Sequence, residues 1–405
     1  MLTTKRNYEI LLFFTLCFGP NVINFMGIEQ NNYYLILVII SFIFAYHFRK
    51  MIDKHIIYLI LFTILYGMFK IYTDQGEGTR AIVLTMMAPA ILFTAYPPIN
   101  RNSPYMIRIW KGLMYMLLLF YLLETGLAVF ERLTWNLVFG WANTHSVDMD
   151  LTVTDFRSTA LLGHPLANAL IVSTIMSFLL ISPIKSKYKY LLWFWGLLAI
   201  MCFNARGAII GNAIVFVLYM IYTLIFNNKI SSIKKFRLFF LVLLLSGIGF
   251  YLLSNGYVGG RLMESGVNDE SSQVRIDIWT VFIKYDLSSF LLGVDSHDLD
   301  MILYSLSLYA TENYWLDWVF RLGVCFLVPY VFLYAGVIRY EYVGYSNINM
   351  FITLVTFLGI SSTNNSLSYS ILPTFVFLFC IRIFKKKTIS YLIPIKYLDI
   401  NDYGR

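Results

Sequence analysis

Long apolar runs recur along nearly the whole chain, separated by short polar stretches. A helix that crosses the hydrocarbon core of a bilayer needs about 20 mostly apolar residues. Twelve runs approach that length, although the second and eleventh are short, and they lie at residues 9–28, 33–48, 55–73, 80–97, 105–128, 158–182, 188–204, 206–226, 236–254, 312–338, 346–361 and 367–384. The pattern predicts an all-α polytopic membrane protein with about 12 transmembrane helices, in which residues 1–405 form a single transmembrane domain.

The composition agrees with this prediction. Hydrophobic residues make up 59% of the chain and charged residues only 13%, whereas soluble proteins carry about 25% charged residues. The first run is interpreted as a retained helix rather than a removed signal peptide, because no small-residue cleavage site follows it. The four cysteines lie inside apolar runs without a CxxC neighbour, so we interpret them as packing residues: Cys17, Cys202, Cys325 and Cys380.

The distribution of positive charge predicts the topology. If the N-terminus is cytoplasmic, the inner segments carry 22 of the 31 Lys and Arg residues but only five of the 23 Asp and Glu residues. Such an excess of Lys and Arg is typical of the cytoplasmic side of a membrane protein, so we expect both the N- and C-termini to be cytoplasmic. Because the basic residues stand in short clusters between apolar runs, the net charge of +8 indicates topology and not a nucleic-acid partner.

Two predicted external segments are long. One covers residues 130–156, and the other covers residues 255–311, between the ninth and tenth runs. A connecting segment as long as residues 255–311 is often functional. Within it, residues 274–292 predict an amphipathic helix that lies on the membrane or caps a cavity, with an apolar face formed by Ile276, Trp279, Phe282 and Ile283.

Nine Lys and Arg residues fall outside the topology rule, and three of them lie at or near external ends of apolar runs: Arg157, Arg206 and Arg275. A guanidinium offers a fixed fork of donors and a permanent charge, which suits a phosphate or diphosphate at the membrane surface. The alternative is that each arginine is an interfacial anchor, snorkelling or paired with a carboxylate such as Asp155 or Asp277. Five others are interpreted as ordinary surface or interfacial charges: Lys70, Arg80, Arg132, Arg261 and Lys284.

The tenth run begins with several ionisable residues. Asp317 and Arg321 are four residues apart, so they can pair on one helix face. Glu312 lies in the first turn, where a carboxylate could act as a general base on a sugar hydroxyl or could be a helix-start charge favoured by the macrodipole. In the eighth run, Gly207 and Gly211 predict a close helix contact. The five histidines show no metal-binding spacing, and we expect no catalytic metal and no cofactor.

Four local patterns lie in order between Arg157 and Gly323. The first is Arg157 followed by Gly163 and Pro165, and the second is the pair Arg206-Gly207. The third is a long external segment with Arg275, Trp279 and Gly293, and the fourth is Glu312-Asn313-Tyr314-Trp315-Leu316 reaching Gly323. With these patterns placed on twelve runs, the chain resembles the O-antigen polymerase and O-antigen ligase superfamily of bacterial inner membranes, and through it the GT-C-like membrane glycosyltransferases.

The resemblance implies an enzyme that acts on saccharides linked to undecaprenyl diphosphate and transfers the glycan to another sugar hydroxyl at the periplasmic face. It implies that Arg157, Arg206 and Arg275 bind the diphosphate, and that the start of the tenth run lies near the acceptor. Glu312 and Arg275 are then the candidate catalytic residues, with His164, Asp317 and Arg321 in supporting positions. Members that are ligases often carry histidine where this chain has Glu312, which favours a polymerase.

The resemblance therefore predicts an oligosaccharide repeat-unit polymerase of the O-antigen or capsule type. Its donor and acceptor are both undecaprenyl-diphosphate-linked oligosaccharides, its medium is the lipid bilayer, and a chain-length regulator protein is a further expected partner. The alternatives are an O-antigen ligase that transfers glycan to lipid A-core, and a flippase for lipid-linked oligosaccharides. A flippase predicts charges along a central cavity and short external segments, whereas the charges here gather beside a long external segment.

Overall fold

A computed structural model describes residues 5–47, 52–74, 77–96, 103–139, 156–226, 232–255, 273–274, 277–285, 290–306, 308, 311, 313–363, 366–385 and 392. Of these described residues, 81% are helical and none forms a strand. The prediction of an all-α chain is therefore confirmed for the part of the protein that the structure describes.

Seventeen helices follow one another in the described ranges. The first ten are α1 (Lys5–Cys17), α2 (Pro20–Phe25), α3 (Gln30–His47), α4 (Lys54–Thr73), α5 (Glu77–Thr94), α6 (Pro104–Thr134), α7 (Pro165–Ile181), α8 (Ser186–Cys202), α9 (Arg206–Ile221, continued by a π-turn at Tyr222–Phe226) and α10 (Ser232–Ser254). The others are α11 (Val281–Lys284, preceded by a 3₁₀ turn at Ile278–Thr280), α12 (Ser296–Ser305), α13 (Tyr314–Leu322), α14 (Val324–Glu341), α15 (Asn347–Ser361), α16 (Ser366–Tyr369) and α17 (Leu372–Ile383).

The lengths of these helices fit a membrane protein. Four of them are long and apolar enough to cross a bilayer by length and composition: Lys54–Thr73, Pro104–Thr134, Arg206–Ile225 and Val324–Glu341. Five shorter apolar helices accompany them, among the described residues: Gln30–Tyr46, Thr79–Thr94, Pro165–Ile181, Asn347–Ser361 and Leu372–Ile383. The count of twelve crossings stays a prediction.

Several predicted runs are not single helices. The first is divided between α1 and α2 at Gly19-Pro20, and the last between α16 and α17. The sixth becomes helical only at Pro165, because residues 156–164 take an irregular path. The tenth is divided between α13 and α14 at Gly323, whose φ of 88° is a left-handed conformation that glycine adopts without steric cost. Hydropathy alone therefore located the apolar segments but not their breaks.

Helix α7 forms the centre of the bundle. Every one of its residues except Leu166 and Ile181 is buried, and it packs against α6, α8, α9, α15 and α17. Its Ser173 and Thr174 hydroxyls donate to carbonyls one turn earlier in the same helix, at 2.5 and 2.7 Å. Because α7 is buried on all sides and its hydroxyls are hydrogen-bonded within the helix, the other helices can pack around it.

Residues 255–311, which the sequence predicts to be external and which we call the external segment, contribute to a second, small hydrophobic core. Ile278, Val281 and Phe290 are fully buried there against Leu299 of α12 and Phe320 of α13. Within the predicted amphipathic helix at residues 274–292, the described residues form the 3₁₀ turn at Ile278–Thr280 and the short helix α11, which ends at an extended Tyr285. Of its predicted apolar face, Phe282 packs against this small core, whereas the side chain of Trp279 is 53% exposed. Ile276 lies outside the described residues.

This small core is joined to the bundle at the break between α13 and α14. The amide of Val294 donates to the Phe320 carbonyl at 2.7 Å, and the Cys325 amide donates to the Leu291 carbonyl at 3.0 Å. Lys70 of α4 is 96% buried and donates to the Leu292 carbonyl at 3.0 Å. The interpretation of Lys70 as a surface charge is therefore wrong, because the side chain is buried and its ammonium group links the external segment to α4 by a hydrogen bond.

The cysteines agree in part with the expectation from sequence. Cys17, Cys202 and Cys380 are buried and unbridged, as packing residues would be. Cys325 is also unbridged but lies exposed on α14, so it does not pack in the protein interior.

Candidate functional site

Residues 156–164, which lead into α7, form an irregular segment at one end of the bundle; we call it the arginine segment after Arg157. Its backbone is left-handed at Ala160, with φ of 43°, and at Gly163, with φ of 79°. Arg157, near its start, is half-buried. A segment without regular secondary structure must find other partners for its buried N–H and C=O groups. In this protein those partners come from α2, α6, α7 and the α8–α9 hairpin.

The main partner is the carboxylate of Glu131, near the end of α6. One of its oxygens accepts from the amides of Thr159 and Ala160, at 2.8 and 3.0 Å. The other accepts from the Val138 amide at 3.0 Å. Glu131 is fully buried, and its bonds to Thr159 and Ala160 form away from water, where charge-assisted hydrogen bonds are strong.

Arg132, next to Glu131, also holds the arginine segment. Its Nη1 donates to the Phe156 carbonyl at 3.3 Å, and its guanidinium carbon lies 4.7 Å from the centre of the Trp135 ring. Arg132 is only 4% exposed. The interpretation of Arg132 as an ordinary surface charge is therefore wrong, because it is a buried arginine that binds the carbonyl of Phe156, the residue immediately before Arg157.

Two buried asparagines and a second glutamate complete the support of the segment. Asn21 of α2 donates to the Thr159 hydroxyl and the Ala160 carbonyl, both at 3.0 Å. Asn168 of α7 donates to the Thr159 carbonyl at 2.6 Å, and Glu124 of α6 accepts from the Leu161 amide at 3.2 Å. The backbone that carries Arg157 is thus fixed from three helices.

The hairpin that carries Arg206 is bonded directly to the arginine segment. The Ser158 amide donates to the carbonyl of Cys202, the last residue of α8, at 3.1 Å. Asn204 then turns the chain in a left-handed conformation, with φ of 55°, and Arg206 is the first residue of α9. The tight hairpin is confirmed, and Arg157 and Arg206 lie on two elements that share a backbone hydrogen bond.

The hairpin also packs closely against the end of α15. A Cβ on Gly207 would lie 2.6 Å from the Thr363 hydroxyl oxygen, and a Cβ on Gly211 would lie 2.9 Å from an Ile360 side-chain carbon. Only a residue without a side chain allows this approach. The predicted close helix contact of Gly207 and Gly211 is confirmed, with α15 as the neighbour.

The start of α13 meets the same end of α15. The Trp315 indole donates to the Ser362 hydroxyl at 3.1 Å, and Asn313 caps α13 by accepting from the Trp315 amide at 3.0 Å. Glu312, immediately before this cap, lies outside the described residues, as does Arg275. The structure therefore brings the Arg157 and Arg206 elements together with the start of α13, at what we call the arginine end of the bundle.

The predicted supporting residues have different environments. Asp317 is fully buried and accepts from Arg321 Nε at 3.1 Å, which confirms their predicted pairing within α13. The second oxygen of the Asp317 carboxylate has no partner among the described residues. His164 precedes α7 as its N-cap residue, and its buried Nδ1 likewise has no partner in the described part of the chain. His164 closes the arginine segment, so it belongs to the same end as Arg157.

Sequence reasoning missed an aromatic groove of about 710 Å³ that starts at the arginine end. It runs down the bundle between α13, α14, α15, α16 and α17, and its lining residues are Tyr314, Trp315, Trp318, Tyr330, Val331, Tyr334, Ala335, Ile338, Arg339, Tyr342, Val343, Gly344, Tyr345, Asn347, Met350, Leu354, Phe357, Leu358, Leu367 and Thr374. We call it the aromatic groove. The helical spacing of Tyr330, Tyr334 and Ile338 along α14 was the available signal, because residues four apart share one helix face.

The groove is apolar along most of its length, with a few polar groups. Tyr330 and Tyr334 stack with ring planes 6° apart. Trp318 is buried, and its indole nitrogen has no hydrogen-bond partner among the described residues. Arg339 is the one charged residue in the lining, at the end opposite Tyr314 and Trp315. Such a surface suits a long apolar chain with few polar groups.

The chemistry available at the arginine end favours an anion. Arg157 and Arg206 supply permanent positive charge, and α9 begins at Arg206 without a side-chain cap on its first turn. The positive end of a helix dipole attracts anions such as phosphate. Among the described residues, no group of three His, Cys, Asp or Glu side chains could hold a metal ion.

Comparison with known proteins adds no relative. A scan of the chain against models of known protein families finds no match, and a search among curated proteins finds none either.

Proposed function

We propose that this protein is a membrane glycosyltransferase that polymerises oligosaccharide repeat units linked to undecaprenyl diphosphate, at the periplasmic face of a bacterial inner membrane. One observation supports it above the others. The elements that carry Arg157 and Arg206 are bonded to each other, and the aromatic groove leaves the same end of the bundle. An anion site above a long apolar groove matches the two chemically different parts of a lipid diphosphate.

The groove is proposed to hold the polyprenyl chain. Between Tyr330 and Arg339 alone it follows α14 for roughly 14 Å, at about 1.5 Å per helical residue. Val331 and Val343 line the groove and are 40% and 69% exposed. Since exposed apolar residues of a membrane protein face lipid, a chain could enter sideways from the bilayer.

The proposed reaction is a displacement at the anomeric carbon of the donor glycan. An acceptor sugar hydroxyl forms the new C–O bond, while the bond between the anomeric carbon and the diphosphate breaks. The diphosphate leaves with the polyprenol and the bonding electron pair, and Arg157, Arg206 and Arg275 would stabilise its negative charge. Glu312 is proposed to take the proton of the attacking hydroxyl. No metal is needed for this scheme, because the leaving group is already activated.

The topology in this proposal is twelve crossings with both termini in the cytoplasm. It puts residues 130–156 and 255–311 in the periplasm, together with the arginine end. Reporter fusions after Asn268 are expected to give a periplasmic signal. A cytoplasmic signal at that position would place the arginine end on the wrong side for the proposed substrate.

The function itself is tested with purified protein in lipid nanodiscs. The protein is incubated with undecaprenyl-diphosphate-linked oligosaccharide as the only substrate, and the products are separated by length. Polymer is expected. Transfer that requires added lipid A-core would instead show a ligase, and movement of the substrate across vesicles without transfer would show a flippase.

A further inference from the structure

We infer that Glu131 is a positioning residue for Arg157, and that binding of a lipid diphosphate depends on this buried carboxylate although it does not touch the ligand. The inference rests on the proposed function, because Glu131 acts only through an arginine that is proposed to bind the diphosphate. It concerns a residue in α6 that no sequence motif singled out.

The geometry that carries the inference is the pair of bonds just after Arg157. Thr159 and Ala160 follow Arg157 by two and three residues, and both of their amides donate to the same Glu131 oxygen, at 2.8 and 3.0 Å. Two successive N–H groups converging on one anionic oxygen require a sharply turned backbone, and Ala160 has a φ of 43°. Such a turn is unfavourable for a residue with a side chain unless its surroundings hold it.

The second oxygen of Glu131 binds a residue that precedes the stretch 140–155, whereas Thr159 and Ala160 follow that stretch. It accepts from the Val138 amide, at 3.0 Å, just beyond the end of α6. The residues before and after the undescribed stretch 140–155 are thus held by one side chain. If this carboxylate is lost, three N–H groups lose their acceptor, and those of Thr159 and Ala160 do so at buried positions. The arginine segment must then rearrange to find other partners, and Arg157 moves with it.

Glutamine is a suitable replacement because it keeps the shape of the side chain. Its amide has a single accepting oxygen, whereas its NH₂ group can only donate. It can therefore keep the Thr159 and Ala160 bonds or the Val138 bond, but not all three. The Glu131→Gln change perturbs the hydrogen bonds without opening a cavity.

A matched control lies on the same helix. Thr125 is fully buried and receives a hydrogen bond from the Trp195 indole at 2.8 Å. Its hydroxyl donates to the Tyr121 carbonyl of α6 and accepts from Trp195 of α8, so its hydrogen bonds are made outside the arginine segment. Thr125→Val therefore removes a buried hydrogen bond near Glu131 while leaving the support of Arg157 in place.

The experiment is a double-mutant cycle on binding of undecaprenyl diphosphate to protein in nanodiscs. The variants are Glu131→Gln, Arg157→Ala, the double variant and Thr125→Val. Glu131→Gln is expected to weaken the binding of undecaprenyl diphosphate about tenfold. This is roughly the factor that corresponds to losing one hydrogen bond to a charged group. In the Arg157→Ala background the same change is expected to weaken binding less than about twofold. Thr125→Val is expected to bind like wild type.

The outcomes separate this inference from the proposed function. An equal loss from Glu131→Gln with and without Arg157 would show a general structural role and overturn the inference. If Arg157→Ala weakens binding while Glu131→Gln does not, the inference fails and the diphosphate site stands. If Arg157→Ala binds like wild type, the proposed diphosphate site itself is wrong. Should Glu131→Gln not accumulate, Glu131→Asp keeps the charge and serves in the same cycle.

Discussion

Replacing Gly207 with alanine should push the Arg206 hairpin away from α15. A Cβ at this position would lie 2.6 Å from the Thr363 hydroxyl oxygen and 2.8 Å from the Thr363 Cβ. The second contact cannot be relieved by rotating the Thr363 side chain, because the Cβ is fixed to the backbone. The two helix ends must therefore separate by several tenths of an ångström.

The size of the effect follows from two opposing contributions. Forcing an extra carbon into a packed interface costs about 1–3 kcal/mol, whereas alanine is a better helix former than glycine by about 1 kcal/mol. Gly126 in α6 isolates the second contribution, because nothing lies within 4 Å of a Cβ built there. Gly126→Ala should thus be neutral or stabilising. Gly207→Ala should be less stable than Gly126→Ala by about 1–3 kcal/mol.

The assay is reversible unfolding in mixed micelles, with a denaturing detergent as the titrant and the free energy of unfolding as the result. The Thr363→Gly change removes the opposing side chain, so combining it with Gly207→Ala should restore part of the loss. Equal stability of Gly207→Ala and Gly126→Ala would refute the reasoning, since only the Cβ at position 207 meets a neighbouring side chain.

Three further predictions concern charge and the groove. Replacing Arg157 or Arg206 with alanine should abolish long glycan chains in cells while the protein stays in the membrane, and wild-type ladders from both variants would contradict the diphosphate site. Lys70→Met should keep the buried methylenes but lose the bond to the external segment, so limited proteolysis of that segment should be faster than in wild type; unchanged cleavage would contradict this anchoring role. Ala335→Trp should fill part of the aromatic groove and raise the KM for the lipid-linked substrate several-fold, roughly the effect of losing 1 kcal/mol of binding, whereas Phe332→Trp on the exposed side of α14 should not.

The sequence predicted the apolar helices well because hydropathy is a local property. It also grouped Arg157, Arg206 and the start of α13, and the structure joins these three elements through Ser158, Thr363 and Ser362. What it could not predict were bonds between residues far apart in the chain. Glu131 and Thr159 are 28 residues apart, and no periodicity relates them.

The misread cations have a common physical reason. Lys70 and Arg132 look like interfacial charges because each lies at the end of an apolar run. Each is buried, however, because an irregular backbone nearby offers a carbonyl oxygen that needs a donor. Irregular backbone is not visible in a hydropathy pattern, so neither partner could be identified from sequence. The aromatic groove was missed for a related reason, since its walls come from five separate helices.

The position of α7 at the centre of the bundle has a consequence for how the protein is made. The helix is complete at Ile181, but α17, one of its neighbours, begins only at Leu372. At synthesis rates of about 5–20 residues per second, α7 must wait on the order of 10–40 s for that neighbour. During this interval it lies in lipid or against the insertion machinery. During that time the hydroxyls of three α7 residues can stay hydrogen-bonded to carbonyls of their own helix, so they are not exposed unpaired to hydrocarbon. These residues are Ser173, Thr174 and Ser177.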